Sequence, residues 1–409
     1  MPPSVRQCLF RNARLPDGSK GDLAVCDGRF VGTHDLTDAI DVYDLEGLLV
    51  LPGFVDGHIH LDKSFVGDRW RPHRPATRLD QRLQIEKQML ADALPTRDRA
   101  DALLTQVHGL GTVAVRSHVD VDATVGLSNL HDIMEAKARW CDRVDIEIVA
   151  FPQAGILRSP GTADLLDAAV GEGATVVGGL DPTAFDGDAH AHLDIVFGIA
   201  ERHGVKIDIH LHESGLRGTE QIRRIAARTS AAGMGRKVTI SHAYALGEVD
   251  DGDLARTAEQ LARAEVAIMT NAPGDREFPP VARLRSAGVR VFAGSDNIRD
   301  AWWPYGDGDM LGRAMMISYR SGFGEDADLD LALQMATTAS AIALGLEGYG
   351  LDPGDEATFV ILDAPNAAAA VAAPPPQRRL VQRGQLEPIS PSRLSSLSPN
   401  LQTRKGNPS

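Results

Sequence analysis

Leu51-Pro-Gly-Phe-Val-Asp-Gly-His-Ile-His-Leu-Asp-Lys63 is the stretch on which the reading of this chain turns. A short, mostly apolar run from Leu48 to Val55 leads into two histidines spaced i, i+2. On a strand that spacing puts both imidazoles on one face, and two imidazoles at a strand's end make half of a metal site. His-x-His is common by chance, and a lone pair would read as surface or core histidine. The flanking Pro52-Gly53 and Asp62-Lys63 argue otherwise, and the rest of the chain supplies further ligands.

Downstream of that strand the chain alternates between helical periodicity and short apolar runs. Helices are predicted near 81–93, 96–110, 125–139, 162–171, 190–203, 219–231, 253–264 and 279–287. The runs between them are Thr112–Asp120, Val144–Pro152, Ala174–Asp181, Lys206–Glu213, Val238–His242, Val266–Asn271 and Val289–Asp296. With the His-x-His strand they make eight, the period of a (β/α)8 TIM barrel. A doubly wound open sheet fits the alternation too, but no Gly-rich phosphate loop follows the first strand.

Short strands with turn signals at Asp17-Gly18 and Asp27-Gly28 fill residues 6–50, and a similar segment returns at Glu356–Asp363. Neither piece can bury much surface alone, so a small β-sandwich domain formed from both chain termini is expected. The predicted limits are 1–52 with 348–390 for that domain, 53–347 for the barrel, and 391–409 for a disordered tail rich in Ser and Pro.

The 409 residues carry a formal charge of -14, which argues against a nucleic-acid backbone as partner. No apolar run is long enough to span a bilayer, and the N-terminus lacks a signal-peptide pattern. Cys8, Cys26 and Cys141 are too few and too scattered for a disulfide framework or a cysteine zinc site. A cytoplasmic protein acting on a small molecule is expected, and base rates favour a homo-oligomer.

In a barrel the chemistry sits at the C-terminal ends of the strands. Those ends carry His58 and His60; His118 and Asp120; Gln153; Asp181; His210, His212 and Glu213; His242; Asn271; and Asp296. Each has an ordinary structural reading by itself. Together they fall where one central ion could gather them.

These motifs resemble the amidohydrolase superfamily, in the branch of cytosine deaminase and the s-triazine amine-releasing hydrolases. The resemblance rests on His58-Ile-His-Leu-Asp-Lys-Ser64, Ser117-His-Val-Asp-Val-Asp122, Val149-Ala-Phe-Pro-Gln-Ala-Gly155 and Val177-Gly-Gly-Leu-Asp-Pro182. Ile207-Asp-Ile-His-Leu-His-Glu213, Ile240-Ser-His242, and Gly294-Ser-Asp-Asn-Ile-Arg-Asp300 with Trp302 complete it. It implies that His58, His60, His210 and Asp296 bind one divalent metal ion, Zn2+ or Fe2+. A carboxylated lysine, which bridges two metals in some relatives, has no counterpart at the end of the fourth strand, where the chain reads Gly178-Gly-Leu-Asp181.

The implied reaction is removal of ammonia or an alkylamine from an amino-substituted N-heterocycle, a cytosine-like pyrimidine or an s-triazine. Water acidified by the metal attacks the ring carbon, Asp296 takes the proton, Glu213 protonates the ring nitrogen, and His242 stabilises the oxyanion. Gln153 and Trp302 match positions that hold and cover the base, His212 lines the pocket, and His118 and Asp120 give outer support. Lys63, Asn297 and Arg299 are further candidates for the substrate, the two cations for an electronegative ring oxygen.

The two branches pull apart. Asp296-Asn297 replaces the paired aspartates of the deaminases, while Glu213 matches cytosine deaminase rather than the triazine enzyme. Alternative readings are cyclic amide hydrolysis, and a non-catalytic barrel scaffold.

Overall fold

The computed structural model describes residues 6–37, 40–76 and 79–387. The tail expected over 391–409 lies outside the described residues. The chain divides into two compact units. One is Met1–Val55, Val107–Val113 and Met310–Ser409, and the other is Asp56–Gln106 and Ala114–Asp309.

Five strands open the chain: β1 (Gln7–Arg14), β2 (Lys20–Cys26), β3 (Arg29–Val31), β4 (Asp41–Asp44) and β5 (Leu49–Pro52). The expected apolar run from Leu48 to Val55 is therefore not one strand. It breaks at Gly53, and β6 (Phe54–Ile59) begins a different sheet. Pro52 has no N–H to carry a ladder onward, which suits a strand end.

Helices α1 (Leu79–Ala91) and α2 (Thr96–Gly109) lead to β7 (Thr112–Asp120). The alternation then runs α3 (Ser128–Trp140), β8 (Asp145–Phe151), α4 (Thr162–Glu172), β9 (Val176–Leu180), α5 (Ala189–His203) and β10 (Lys206–Leu211). It continues with α6 (Gly215–Ala231), β11 (Val238–His242), α7 (Asp251–Arg263), β12 (Ala267–Thr270), α8 (Val281–Ser286) and β13 (Val291–Ala293). Strands β6 to β13 pair in sequence order, and a parallel bridge from Ile59 to Asp296 brings the last beside the first. This is the (β/α)8 barrel.

That last seam is tight. A side chain at Gly57 would lie 2.4 Å from the Phe292 ring, and one at Gly294 would lie 2.5 Å from the His58 Cβ. Only glycine lets the strand carrying His58 approach the strand that delivers Asp296.

After the barrel strands the chain returns to the first sheet with β14 (Phe359–Leu362), β15 (Arg378–Gln382) and β16 (Gln385–Leu386). Its order is β16-β15-β14-β5-β1-β2-β3, with β4 pairing on β1. One branched sheet drawn from both termini thus forms the small β domain. It holds its own core, in which Phe10 meets the ring of Phe359 edge to face.

Cys8, Cys26 and Cys141 are free thiols. Among the described residues no helix is long and apolar enough to cross a membrane.

Candidate metal centre and active site

Strand alternation puts His58, in β6, and His60, just past its end, on one face, their rings 5.3 Å apart. From β10, His210 brings its ring to 4.6 Å from His58 and 5.7 Å from His60, stacked on Phe151. One nitrogen from each of these three histidines lies within 4.8 Å of the others. His58, His242 and Asp296 make a second such group. Asp296 Oδ1 lies 3.5 Å from His58 Nε2 and 3.3 Å from His60 Nε2.

Burial favours neutral imidazole here. It holds His60 down to about 4, and Lys63 pushes the same way. Burial and the neighbouring histidines keep His118, His210 and His242 well below the usual range. The rings therefore offer lone pairs at neutral pH, as a metal requires.

The donor set fits a divalent cation. His58 Nε2 and the ring nitrogens of His210, of which one could ligate, are buried without a hydrogen-bond partner among the described residues. Each such orphaned nitrogen costs about 1–3 kcal/mol, a cost that ligation would remove at His58 Nε2 and at one nitrogen of His210. Imidazole and carboxylate suit zinc and ferrous iron alike.

A buried relay orients His58. Ser241 Oγ donates to Asp208 Oδ1 at 2.6 Å. A hydroxyl has one proton, so at His58 Nδ1, 3.1 Å away, Ser241 accepts. His58 then carries its proton on Nδ1 and keeps the Nε2 lone pair for a cation. Asp208 is anchored in turn by Arg116 at 3.0 Å, and His118 stacks on His58 at 3.8 Å. Losing such support lowers metal affinity about 10- to 100-fold. Ser241→Ala is expected to show that loss in competition with a chromogenic chelator, and unchanged affinity would remove the relay.

The backbone bends sharply where these groups emerge. Asp181, His242 and Asp296 have φ of 35°, 73° and 62°. Left-handed non-glycine residues cost about 1–3 kcal/mol and cluster at functional sites. Asp56 Oδ1 accepts the backbone N–H of His58 at 3.2 Å and of Ser295 at 2.9 Å. Asn271 donates from Nδ2 to Asp296 Oδ2 at 2.8 Å, and Tyr244 Oη lies 3.2 Å from His242 Nδ1.

His212 differs from the other histidines. Its Nδ1 lies 2.9 Å from Asp181 Oδ2, and its ring stacks on His242 at 4.6 Å. Burial works against its protonation, but Asp181 outweighs burial and raises its pKa. An imidazole drawn toward the charged state is a poor metal ligand. Glu213 Oε1 accepts the backbone N–H groups of Ala184 at 2.7 Å and Thr183 at 2.9 Å, while Oε2 is buried without a hydrogen bond. Burial raises its carboxyl, against the pull of those two amides.

Of the expected substrate groups, Lys63, Gln153 and Trp302 are joined in a separate cluster through Glu86. Lys63 is buried, with Nζ donating to Gln153 Oε1 at 2.6 Å and paired with Asp120 at 2.9 Å. Trp302 donates from its indole to Glu86 Oε1 at 2.6 Å. Asn297 donates to Asp300 Oδ2 at 2.6 Å, and Arg299 to Gln106 at 3.0 Å. Sequence reasoning assigned no part to Glu86, Arg116, Asp208, Ser241 or Tyr244. Charged residues inside the apolar strands β7 and β10 were the available signal for Arg116 and Asp208. Glu86 sits on a mostly polar helix and gave none.

Fold and centre together define a (β/α)8 barrel whose buried imidazole–carboxylate cluster is able to bind a metal. A profile described as the Amidohydrolase family matches residues 83–385. N-isopropylammelide isopropyl amidohydrolase of Pseudomonas sp. (strain ADP) is 30% identical over 389 residues, 92% of this chain and 96% of its own. The crystal structure of N-isopropylammelide isopropylaminohydrolase from Burkholderia multivorans matches at a TM-score of 0.89 and 38% identity, covering 93% of this chain and 98% of its own. That of 5-methylcytosine deaminase from Klebsiella pneumoniae, liganded with 5-fluorocytosine, matches at 0.81 and 28% identity, covering 93% and 96%. The chain belongs to the amidohydrolase family, hydrolases of C–N bonds other than peptide bonds.

Proposed function

We propose that this chain is a mononuclear metal-dependent aminohydrolase. It would release ammonia or an alkylamine from an amino-substituted nitrogen heterocycle, a cytosine-like pyrimidine or an s-triazine. The observation that carries this reading is the buried group of His58, His60 and His210, with Asp296 Oδ1 3.5 Å from His58 Nε2 and 3.3 Å from His60 Nε2, and with orphaned ring nitrogens. The absence of a lysine from Val176–Leu180 and the following Asp181 supports one ion rather than two. The activities named for the two similar crystal structures support the substrate class.

In this proposal His58, His60, His210 and Asp296 hold the ion, Zn2+ or Fe2+. When bound, the ion supplies a water acidic enough to lose its proton near neutral pH. Asp296, whose Oδ2 accepts from Asn271, would be the group of this chain that takes up the attacking water's proton. His242 hydrogen-bonds the oxygen that develops on the attacked carbon. Glu213, its carboxyl raised by burial, gives a proton to the ring nitrogen as the amine departs. Gln153, His212, Trp302, Lys63 and Asn297 form the substrate side of the site.

The proposal keeps the limits 53–347 for the barrel and 1–52 with 348–390 for the small domain, since β1–β5 and β14–β16 fall inside the latter. It also keeps a cytoplasmic, homo-oligomeric protein, for which light scattering of the purified chain is the check on assembly.

The deciding experiment is amine release by the metal-loaded protein from cytosine, isocytosine, 5-substituted cytosines, creatinine, ammelide and N-alkylated ammelides. Release from one ring fixes the substrate. No release from any, with metal bound, favours cyclic amide hydrolysis. For the acid, Glu213→Gln is expected to lower kcat about 100-fold or more while metal content stays at the wild-type level. A kcat within a few-fold of wild type would take the proton-donor role from Glu213.

A further inference from the structure

One buried ammonium ties together both groups expected to contact the ring. Lys63 Nζ donates to Gln153 Oε1 at 2.6 Å, and lies 2.9 Å from Asp120 and 3.9 Å from Glu86 Oε1. That same Glu86 oxygen accepts the Trp302 indole N–H at 2.6 Å. Lys63, Glu86, Asp120 and Gln153 are all less than 10% exposed. The cluster spans β6's end, α1, β7 and the segment after β8, so it is a built arrangement rather than a chance surface pair.

The chemistry of the contact fixes a direction. An ammonium has three donors and no acceptor. Gln153 must therefore turn its carbonyl oxygen to Lys63, because the flipped amide would set NH2 against NH3+. Its Nε2 is then the outward group. It hydrogen-bonds to nothing among the described residues and is not sealed off by protein.

We propose that Lys63 is a positioning residue that locks Gln153 as a pure hydrogen-bond donor, so that the site selects rings presenting an oxo group, not an amino group, at that edge. This rests on the aminohydrolase reading for the identity of the pocket. Lys63 then acts through Gln153 and makes no contact with the ring. Glu86 and Asp120 balance its charge, and Glu86 also fixes the rotation of Trp302. An amino group facing Gln153 would meet donor with donor and leave both unpaired. A mismatch of that kind lowers affinity roughly 10- to 100-fold.

Cyanuric acid and melamine test this without an orientation problem. One carries an oxo group at every carbon and the other an amino group, so each presents the same edge however it binds. Affinities are measured by calorimetry on the metal-loaded protein, with amine release followed separately. The wild type is expected to bind cyanuric acid about 10- to 100-fold more tightly than melamine. Gln153→Met, which removes the donor, should bring that ratio near one. Lys63→Met should do the same by freeing the amide to turn. If the buried acids prevent that variant from folding, Lys63→Met combined with Asp120→Asn and Glu86→Gln removes the ammonium and both carboxylates and takes its place.

Equal affinities in the wild type, no binding of either ring, or a ratio unchanged in the Gln153 and Lys63 variants would each overturn the proposal. A retained oxo preference with no amine release from any ring would reject the aminohydrolase reading alone. Amine release with a ratio indifferent to these substitutions would reject the Lys63 role alone.

Discussion

Asp296→Asn is expected to reduce turnover by at least about 1,000-fold while leaving the fold intact, because two functions are lost with one charge. Burial alone would raise this carboxyl. The neighbouring His242 and the contacts with His58 and His60 outweigh burial and hold it well below the usual carboxylate range. The anion is thus the stable form at every working pH. Asparagine copies its shape, but it brings no charge to a cation and cannot accept a proton from water. The backbone should tolerate the change, since φ of Asp296 is 62° and asparagine enters that region more readily than most residues. The contact with Asn271 at 2.8 Å survives if the new amide turns its oxygen that way. Rates, metal content and a thermal melt on the same preparation separate the outcomes. A normal melt with lost turnover fits the assigned roles. Near-normal turnover would remove Asp296 from both.

The barrel and the gathering of the candidate metal-binding side chains were legible because they follow from strand period and strand ends. His58 and His60 share a face by alternation, and His210, His242 and Asp296 each lie at or just past the end of an apolar run. The split of the Leu48–Val55 run between two sheets was not legible. Both halves of the run are apolar, so composition cannot say that Leu49–Pro52 pairs with Phe359–Leu362 while Phe54–Ile59 pairs in the barrel. Glu86 was hidden for a different reason. Its role comes from Lys63, 23 positions away, and from Trp302, 216 positions away. A local pattern carries no record of such a pairing. Arg116 and Asp208 stood out as charges in apolar strands, but their partnership across the barrel interior is a property of closure, not of either strand.

Arg116→Met is expected to be the most destabilising single change in the barrel, about 3–5 kcal/mol, for the same reason that Arg116 escaped assignment. Its guanidinium is buried. It bonds Asp208 at 3.0 Å, Glu147 at 2.6 Å and Thr239 at 3.2 Å, with Lys206 also on Glu147 at 2.6 Å. Glu147 would keep Lys206, but Asp208 would keep only the Ser241 hydroxyl and the His118 ring 3.7 Å away for a fully buried charge. Burial already raises the Asp208 carboxyl, with Arg116 the largest opposing influence, so its removal raises it further. A carboxyl raised in the folded state favours folding at low pH, where it is protonated, and the benefit is lost as pH rises through its folded value. The loss from Arg116→Met should therefore be larger at pH 8 than at pH 5. Adding Asp208→Asn should recover part of it by removing the stranded charge. Denaturation midpoints of the three variants at both pH values provide the check. A loss independent of pH would mean that Arg116 stabilises by packing on Phe292, 5.9 Å away, rather than by charge. The same variant reaches the metal centre through Asp208, Ser241 and His58, so weaker metal binding should accompany the lost stability and be strongest where Asp208 changes protonation.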